Sequence, residues 1–263
     1  MSNLSLSSVS DDTGAFFRRE AGLVMTVAFA TFGLGLLLVE LMTPDPAAGA
    51  QVTPGNWMLW LVPAALLGIV GQLTISLLVL TPGTSVREAM GAGLRRLPTV
   101  LLVTLILGIA AGVAVALFTL LGGVLAAVAG LGIGGATILI TILLGGFMLW
   151  TASRLLLIWP LIAERAPRPL DSIRGAWRLS RGRAWRFAAA LLAFTLVYLV
   201  VLGAARLGFG SLFLIVGQAI GSEALARFLP ALAVAAIGAG LQAVWAVFVT
   251  QLYRRVSEAT TGT

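Results

Sequence analysis

The chain contains no cysteine, no histidine and no lysine in its 263 residues. Without cysteine there are no disulfides, no thiolate nucleophiles and no cysteine-ligated metals. Without histidine the chain lacks the side chain that most often acts as a general base or metal ligand. Charge is also scarce, since 10% of the residues are charged, against about 25% in soluble domains. We therefore expect no catalytic residue, no metal site and no cofactor.

Apolar residues dominate the composition: 59% of the chain is hydrophobic and the mean hydropathy is +1.05. Several apolar runs reach the length of about 20 residues that a helix needs to cross a bilayer. The sequence predicts an all-α fold, a polytopic membrane bundle of six transmembrane helices with amphipathic interfacial helices on the cytoplasmic side. A single membrane domain over residues 21–255 would hold spans at 21–42, 57–80, 98–121, 136–163, 187–204 and 228–253.

Three segments lie outside these spans. Residues 1–20 are polar and are interpreted as a cytoplasmic tail followed by an interfacial turn, and residues 256–263 as a cytoplasmic C-terminal tail. Residues 207–221 are apolar but broken by glycine. They fit a re-entrant helix, an interfacial helix or an extension of the fifth span.

The arginines give the predicted bundle an orientation. Fifteen of the seventeen fall on the side that holds both termini, and Arg206 and Arg227 fall on the other. Cytoplasmic loops carry such an excess of basic residues, so both termini are expected in the cytoplasm. The use of arginine with no lysine fits a GC-rich bacterial genome, so the expected location is a bacterial inner membrane. Because the arginines flank apolar spans, we expect them to meet anionic lipids and not nucleic acid. A protein partner at the cytoplasmic face is also compatible with them.

The most distinctive segment is RLLLIWPLIAERAPRPLDSIRGAWRLSRGRAWRF, residues 154–187. It resembles the membrane-domain family that accompanies some glycerophosphoryl diester phosphodiesterases, together with its stand-alone bacterial relatives. Ala176 stands where that family usually has serine. The matching residues are Arg154, Pro160, Glu164, Trp177, Leu179, Ser180, Gly182, Trp185 and Arg186.

The resemblance implies a six-helix fold and a lipid neighbourhood. The best-known members of that family carry a separate catalytic barrel, for which this chain has neither the length nor the histidines. The resemblance therefore does not imply phosphodiesterase activity. It is compatible with a role as accessory to a partner enzyme.

Within this segment a basic amphipathic helix is predicted. At 100° per residue, Leu170, Ile173, Ala176, Trp177, Ser180 and Ala184 gather on one side of it. Arg174, Arg178 and Arg181 form a stripe along the flank. Such a helix lies in the membrane interface with its guanidinium groups near lipid phosphates. Two interpretations stay open: a binding site for lipid phosphate or a partner, and an anchor that fixes topology.

Arg154 is the one arginine placed inside a predicted span, ten residues before Glu164. That separation is about 15 Å along an ideal helix, too far for a direct ion pair. Charges within spans usually face the bundle interior. Arg154 either binds an anionic substrate or lipid phosphate there, or has a structural role in which it snorkels to the inner headgroups or staples two helices together. Polar residues of the second and sixth spans are candidates for its surroundings, namely Gln72, Thr74, Ser76, Gln242 and Thr250.

Small residues predict close helix packing in two spans. The third carries Gly108 and Gly112, and the sixth carries Ala231, Ala235 and Ala239.

Three functions follow from the sequence. The first is a non-catalytic protein that binds lipid or organises the envelope; the alternative is a transporter that uses Arg154 for a lipid-like or amphipathic anion. An enzyme is the least supported, since no span contains two acidic residues.

Overall fold

The computed structural model describes residues 6–43, 55–130, 132–165 and 168–261, and within these ranges it contains helices and no strand. Six helical stretches are long and apolar enough to cross a membrane, so the predicted all-α membrane bundle is confirmed. The helices are α1 (Leu6–Ala28), α2 (Leu34–Met42), α3 (Leu61–Leu80), α4 (Val86–Val128), α5 (Ile133–Leu155), α6 (Ile158–Arg165), α7 (Pro169–Leu179), α8 (Ala184–Ile220) and α9 (Glu223–Thr261). A π-helical turn (Phe29–Gly33) joins α1 to α2, and a 3-10 turn (Asn56–Trp60) precedes α3.

Both ends of the chain are more helical than expected. Helix α1 begins at Leu6, so the described part of the expected N-terminal tail and interfacial turn is helical. Its backbone leaves the helical region at Glu20, with φ −123° and ψ 17°, where the polar part of α1 meets the apolar part. Helix α9 continues to Thr261 through most of the expected C-terminal tail. Residues 1–5 and 262–263 lie outside the described ranges.

Two further helices exceed their predicted spans. Of the three possibilities for residues 207–221, the structure shows an extension of the fifth span, because α8 runs without interruption to Ile220. Helix α4 starts twelve residues before the predicted third span and contains Pro98 in its interior. Membrane helices tolerate such a proline because neighbouring groups satisfy the freed backbone.

The predicted fourth span is interrupted. Helix α5 ends at Leu155 and α6 begins at Ile158. Pro160 explains the break, since proline lacks the amide that would bond to the carbonyl of Leu156 and its ring clashes with that carbonyl. The arginine expected inside the span, Arg154, consequently lies in the last turn of α5.

The helices group into two compact units, where the sequence suggested one domain. The first comprises Met1–Leu97 and Ala193–Thr263, and the second Pro98–Leu192. In the first unit, α9 packs against α1, α2, α3 and the π-helical turn. Its stripe of Ala231, Ala235 and Ala239 is buried as predicted.

Close backbone approaches and local hydrogen bonds hold the first unit together. A Cβ added at Gly71 of α3 would lie 2.2 Å from Thr31 Oγ1 of the π-helical turn. Thr31 in turn donates a 2.7 Å hydrogen bond to the carbonyl of Val27. The hydroxyls of Thr250 and Ser76 lie 3.2 Å apart in the buried interior. Position 71 requires glycine, because a larger side chain would overlap with Thr31.

In the second unit, α7 packs against α5 and α6. The C-terminal part of α4 approaches α5, where a Cβ added at Gly122 would lie 2.3 Å from Ile140 Cγ1. By contrast, Gly108 and Gly112 face open space, with no described atom within 4 Å of an added Cβ. The predicted packing role of that glycine pair is not observed within the described residues, and Gly122 makes the close approach.

Candidate functional site

Arg154 is half-buried in the last turn of α5, one residue before the helix ends. A cation at this position complements the partial negative charge at a helix C-terminus. Trp150 lies four residues earlier, which places both side chains on the same face of α5. Pro160 creates this site indirectly, because it stops α5 directly after Arg154.

Two indole rings enclose the guanidinium group. Arg154 Cζ lies 5.6 Å from the ring centroid of Trp150 and 5.5 Å from that of Trp177 on α7. The two indoles meet edge to face, with centroids 5.0 Å apart. The distances from Arg154 Cζ to the two indole centroids are both within the roughly 6 Å range of favourable cation–π contacts. The contact joins the C-terminal end of α5 to the C-terminal end of α7.

The polar contacts of Arg154 are incomplete. Its Nη1 donates a long, 3.4 Å hydrogen bond to the carbonyl of Ser180, while its Nε is buried without a partner. Thr151, three residues earlier on α5, also has a buried hydroxyl with no partner. Among the described residues, no carboxylate pairs with Arg154. A bound group that accepts hydrogen bonds would satisfy the arginine, and a negative charge would also offset its positive charge.

Of the five polar side chains that we expected near Arg154, four have described partners other than Arg154, namely Thr74, Ser76, Gln242 and Thr250. Thr74 donates to the carbonyl of Val70, and Thr250 lies beside Ser76. The Gln242 amide lies 3.4 Å from the hydroxyl of Tyr198. The polar contacts described for Arg154 come instead from the segment around Ser180.

The amphipathic helix is observed as α7. Pro169 occupies its first turn, where proline needs no amide partner, and Asp171 places a negative charge near the helix N-terminus. After α7 ends, the chain turns at Gly182, whose φ of +78° favours glycine. Helix α8 then begins at Ala184. Gly182 therefore permits the turn between α7 and α8.

The buried face of α7 differs from the predicted apolar face. Ser172, Ala176 and Ser180, spaced four residues apart, are fully buried. Leu170 remains 56% exposed and Trp177 38% exposed. The two serines tolerate burial because their hydroxyls donate to the carbonyls of Arg168 and Trp177 respectively. Small residues thus form the buried face of α7, while Leu170 is exposed and Trp177 is partly exposed beside Arg154.

Arg174, Arg178 and Arg181 are exposed on α7 and directly after it. None of them forms an ion pair with another described residue. Arg178 follows Trp177 in the chain, and Arg181 follows Ser180, the two residues that contact Arg154. The exposed stripe and the enclosed arginine therefore belong to one local concentration of positive charge.

The remaining residues of the family-like motif are dispersed around this cluster. Pro160 is buried in α6, and Glu164 pairs with its neighbour Arg165 at 3.1 Å. Trp185 is 82% exposed at the start of α8, and Arg186 beside it is also exposed. Hence Trp177 and Ser180 are the motif residues that contact Arg154.

Trp150 was not among the site residues predicted from the sequence. Its signal was the spacing of four residues between Trp150 and Arg154, which aligns the two side chains on a helix.

Within the described residues, no group of three or more acidic side chains is arranged to hold a metal ion. Comparison of the chain with protein families, with curated proteins and with solved structures found no match.

Proposed function

We propose that this chain is a non-catalytic membrane protein that binds the phosphate of an anionic lipid at the Arg154 cluster. The observation that carries the proposal is the enclosed guanidinium of Arg154, whose buried Nε has no partner and which pairs with no described carboxylate. A lipid phosphate supplies both the missing acceptor and the missing negative charge. The lack of histidine and cysteine supports a non-catalytic role.

The neighbouring residues favour a lipid over a soluble anion. Leu170 and Trp177 expose apolar surface on the same short helix that carries Arg174 and Arg178. A helix with exposed apolar and basic groups of this kind lies in the interface between headgroups and acyl chains. Each arginine near an anionic leaflet contributes about 1 kcal/mol. We infer that the stripe gathers anionic lipid and that Arg154 binds one phosphate.

The arginine distribution supports placing both termini and α7 on the cytoplasmic side of a bacterial inner membrane. The resemblance of residues 154–187 to the phosphodiesterase-associated membrane domains supports a lipid neighbourhood as well. In this proposal a partner enzyme of the envelope would receive or recognise the lipid held at α7.

Mass spectrometry of lipids retained in native-membrane discs tests the proposal. Three proteins are compared: wild type, Arg154→Ala, and a triple variant in which Arg174, Arg178 and Arg181 become glutamine. We expect Arg154→Ala to lower retention of one anionic lipid about tenfold, because charge-assisted hydrogen bonds contribute about 1.5–3 kcal/mol. The triple variant is expected to lower anionic lipid more generally.

A matched control removes the same charge elsewhere on the predicted cytoplasmic side. Arg18, Arg87 and Arg95 are exposed, and changing all three to glutamine should leave retention at the Arg154 cluster unchanged. An equal loss in this control would show that net charge alone attracts the lipid. Unchanged lipid composition in all variants would contradict the proposal and leave the arginines as topology anchors.

The transporter alternative predicts a different result from the same variants. If Arg154 binds a lipid-like anion during transport, Arg154→Ala abolishes movement of that anion across reconstituted vesicles while the bulk lipid composition stays constant. Retention without transport supports the binding function, and transport without stable retention supports the alternative.

A further inference from the structure

A cavity with apolar and charged lining residues lies in the first unit, beside the non-helical residue of α1 and the C-terminal part of α9. Its volume is about 450 Å³, within the range of sites that hold small ligands. The non-helical residue of α1, Glu20, lines it together with Arg19. Gln251 and Arg254 of α9 also line it, and the apolar lining includes Leu23 and Leu78. None of these residues belongs to the Arg154 cluster.

Gln251 is the unusual member of this lining. The residue is 3% exposed, and its Oε1 is buried without a hydrogen-bond partner. Native proteins rarely leave a buried acceptor unsatisfied. Because Gln251 lines the cavity, a ligand there with an N–H donor would complete its hydrogen bonding.

The charges around the cavity have both signs. Arg19 and Glu20 are exposed, and neither has a hydrogen bond or ion pair with another described residue. Arg254 makes one long contact with Glu258, at 3.9 Å. A simple anion would leave Glu20 and Gln251 Oε1 unmatched, and a simple cation would leave the two arginines unmatched. The complementary ligand therefore carries a phosphate and a nitrogen donor together.

We propose that this cavity binds the headgroup of a zwitterionic aminophospholipid, with its phosphate at Arg19 and Arg254 and its ammonium at Glu20 and Gln251 Oε1. The apolar residues Leu23 and Leu78 give the glycerol and the first acyl carbons a surface to pack against. The site is separate in chain position from the Arg154 cluster and does not depend on the function proposed for it.

Phosphatidylethanolamine and phosphatidylcholine with identical acyl chains provide the discriminating probe. Both carry the phosphate, but the trimethylated nitrogen of phosphatidylcholine has no N–H to donate to Gln251. Native mass spectrometry of the full chain, delipidated and given equal amounts of both lipids, should show about tenfold more bound phosphatidylethanolamine, the scale expected for one hydrogen bond from a charged donor.

Two variants with matched controls assign this preference to the cavity. Gln251→Met keeps the side-chain length but removes one of the two acceptors, and it should lower the preference for phosphatidylethanolamine, with the remainder due to Glu20. Gln242→Met, on the same helix and outside this cavity, should retain it. Arg19→Gln should lower retention of both lipids, whereas Arg18→Gln should not.

Thermal unfolding of each variant separates loss of the site from loss of the fold. Equal retention of the two lipids by wild type would overturn the proposal, and so would an intact preference in a folded Gln251→Met protein. Competition by water-soluble glycerophosphoethanolamine at the same concentration as the lipid would reassign the cavity to a soluble phosphate ester. Absence of that competition supports a lipid as the ligand.

Discussion

Replacing Gly71 by alanine is expected to destabilise the first unit, because α3 and the π-helical turn leave no space for a methyl group. The added Cβ would lie 2.2 Å from Thr31 Oγ1, 2.9 Å from Thr31 Cβ and 3.0 Å from a ring carbon of Phe32. Thr31 cannot rotate away freely, since it is buried and its hydroxyl holds a 2.7 Å hydrogen bond to Val27. Either α3 shifts or that hydrogen bond breaks.

The magnitude follows from three contributions. Overpacking a filled interior costs about 1–3 kcal/mol, and loss of the Thr31 hydrogen bond costs about 0.5–1.5 kcal/mol. Alanine recovers about 1 kcal/mol over glycine in a helix. We therefore expect Gly71→Ala to lower the free energy of unfolding by about 0.5–3.5 kcal/mol.

Gly68 provides a matched control on the same helix, since no atom lies within 4 Å of a Cβ added there. Gly68→Ala should raise the free energy of unfolding by about 0.5–1 kcal/mol through helix propensity alone. Unfolding of both variants by titration with sodium dodecyl sulfate in mixed micelles, followed by circular dichroism, measures the difference. Equal stability of the two variants would refute the packing described between α3 and the π-helical turn.

Three further predictions test other contacts. Gly182→Ala should lower stability in the same titration by about 1–2 kcal/mol, because φ is +78° there; an unchanged midpoint would contradict that backbone conformation. Arg206 is exposed and pairs with the half-buried Glu40, so Glu40→Gln should lower the free energy of unfolding by about 1 kcal/mol or less. Exchanging the two charges should restore that stability; a larger loss without restoration would contradict the pairing. Arg255 donates a 2.7 Å hydrogen bond to Asp12, so Arg255→Gln should increase amide hydrogen exchange in the N-terminal part of α1, and exchange equal to wild type would contradict that link.

The apolar helices could be predicted because hydropathy over about 20 residues is a local property. Helix α7 could also be predicted, since Pro169, Asp171 and the spacing of its apolar residues all favour a helix start at that point. The break between α5 and α6 follows from Pro160, although the predicted span 136–163 ran through it. Local chemistry explains all of these elements, although the break between α5 and α6 was not predicted.

Tertiary contacts account for what the sequence analysis missed. The polar start of α1 has no apolar run, yet Val9 is fully buried and Asp12 bonds to Arg255 from the far end of the chain. The exposed position of Leu170 likewise depends on packing, because Ser172 and Ala176 occupy the buried face of α7. Pairing over such sequence distances leaves no periodic signal.

At the candidate site, the sequence indicated Arg154 and the basic stripe of α7 but not their connection. Trp177 was predicted to lie on the apolar face, and the structure places its ring beside the Arg154 guanidinium. Gln251 gave no signal in the sequence, since its orphaned acceptor becomes evident only when the surrounding helices are packed.

The central claim, that the Arg154 guanidinium binds a lipid phosphate, is tested most directly by Arg154→Lys. Lysine keeps the positive charge but presents no planar fork for a phosphate and no flat face for the two indoles. Titration of phosphatidylglycerol into the purified protein, followed by native mass spectrometry, gives the dissociation constant for each form. We predict binding at least about tenfold weaker in Arg154→Lys than in wild type. Equal dissociation constants would contradict the claim and show that charge alone is required at this position.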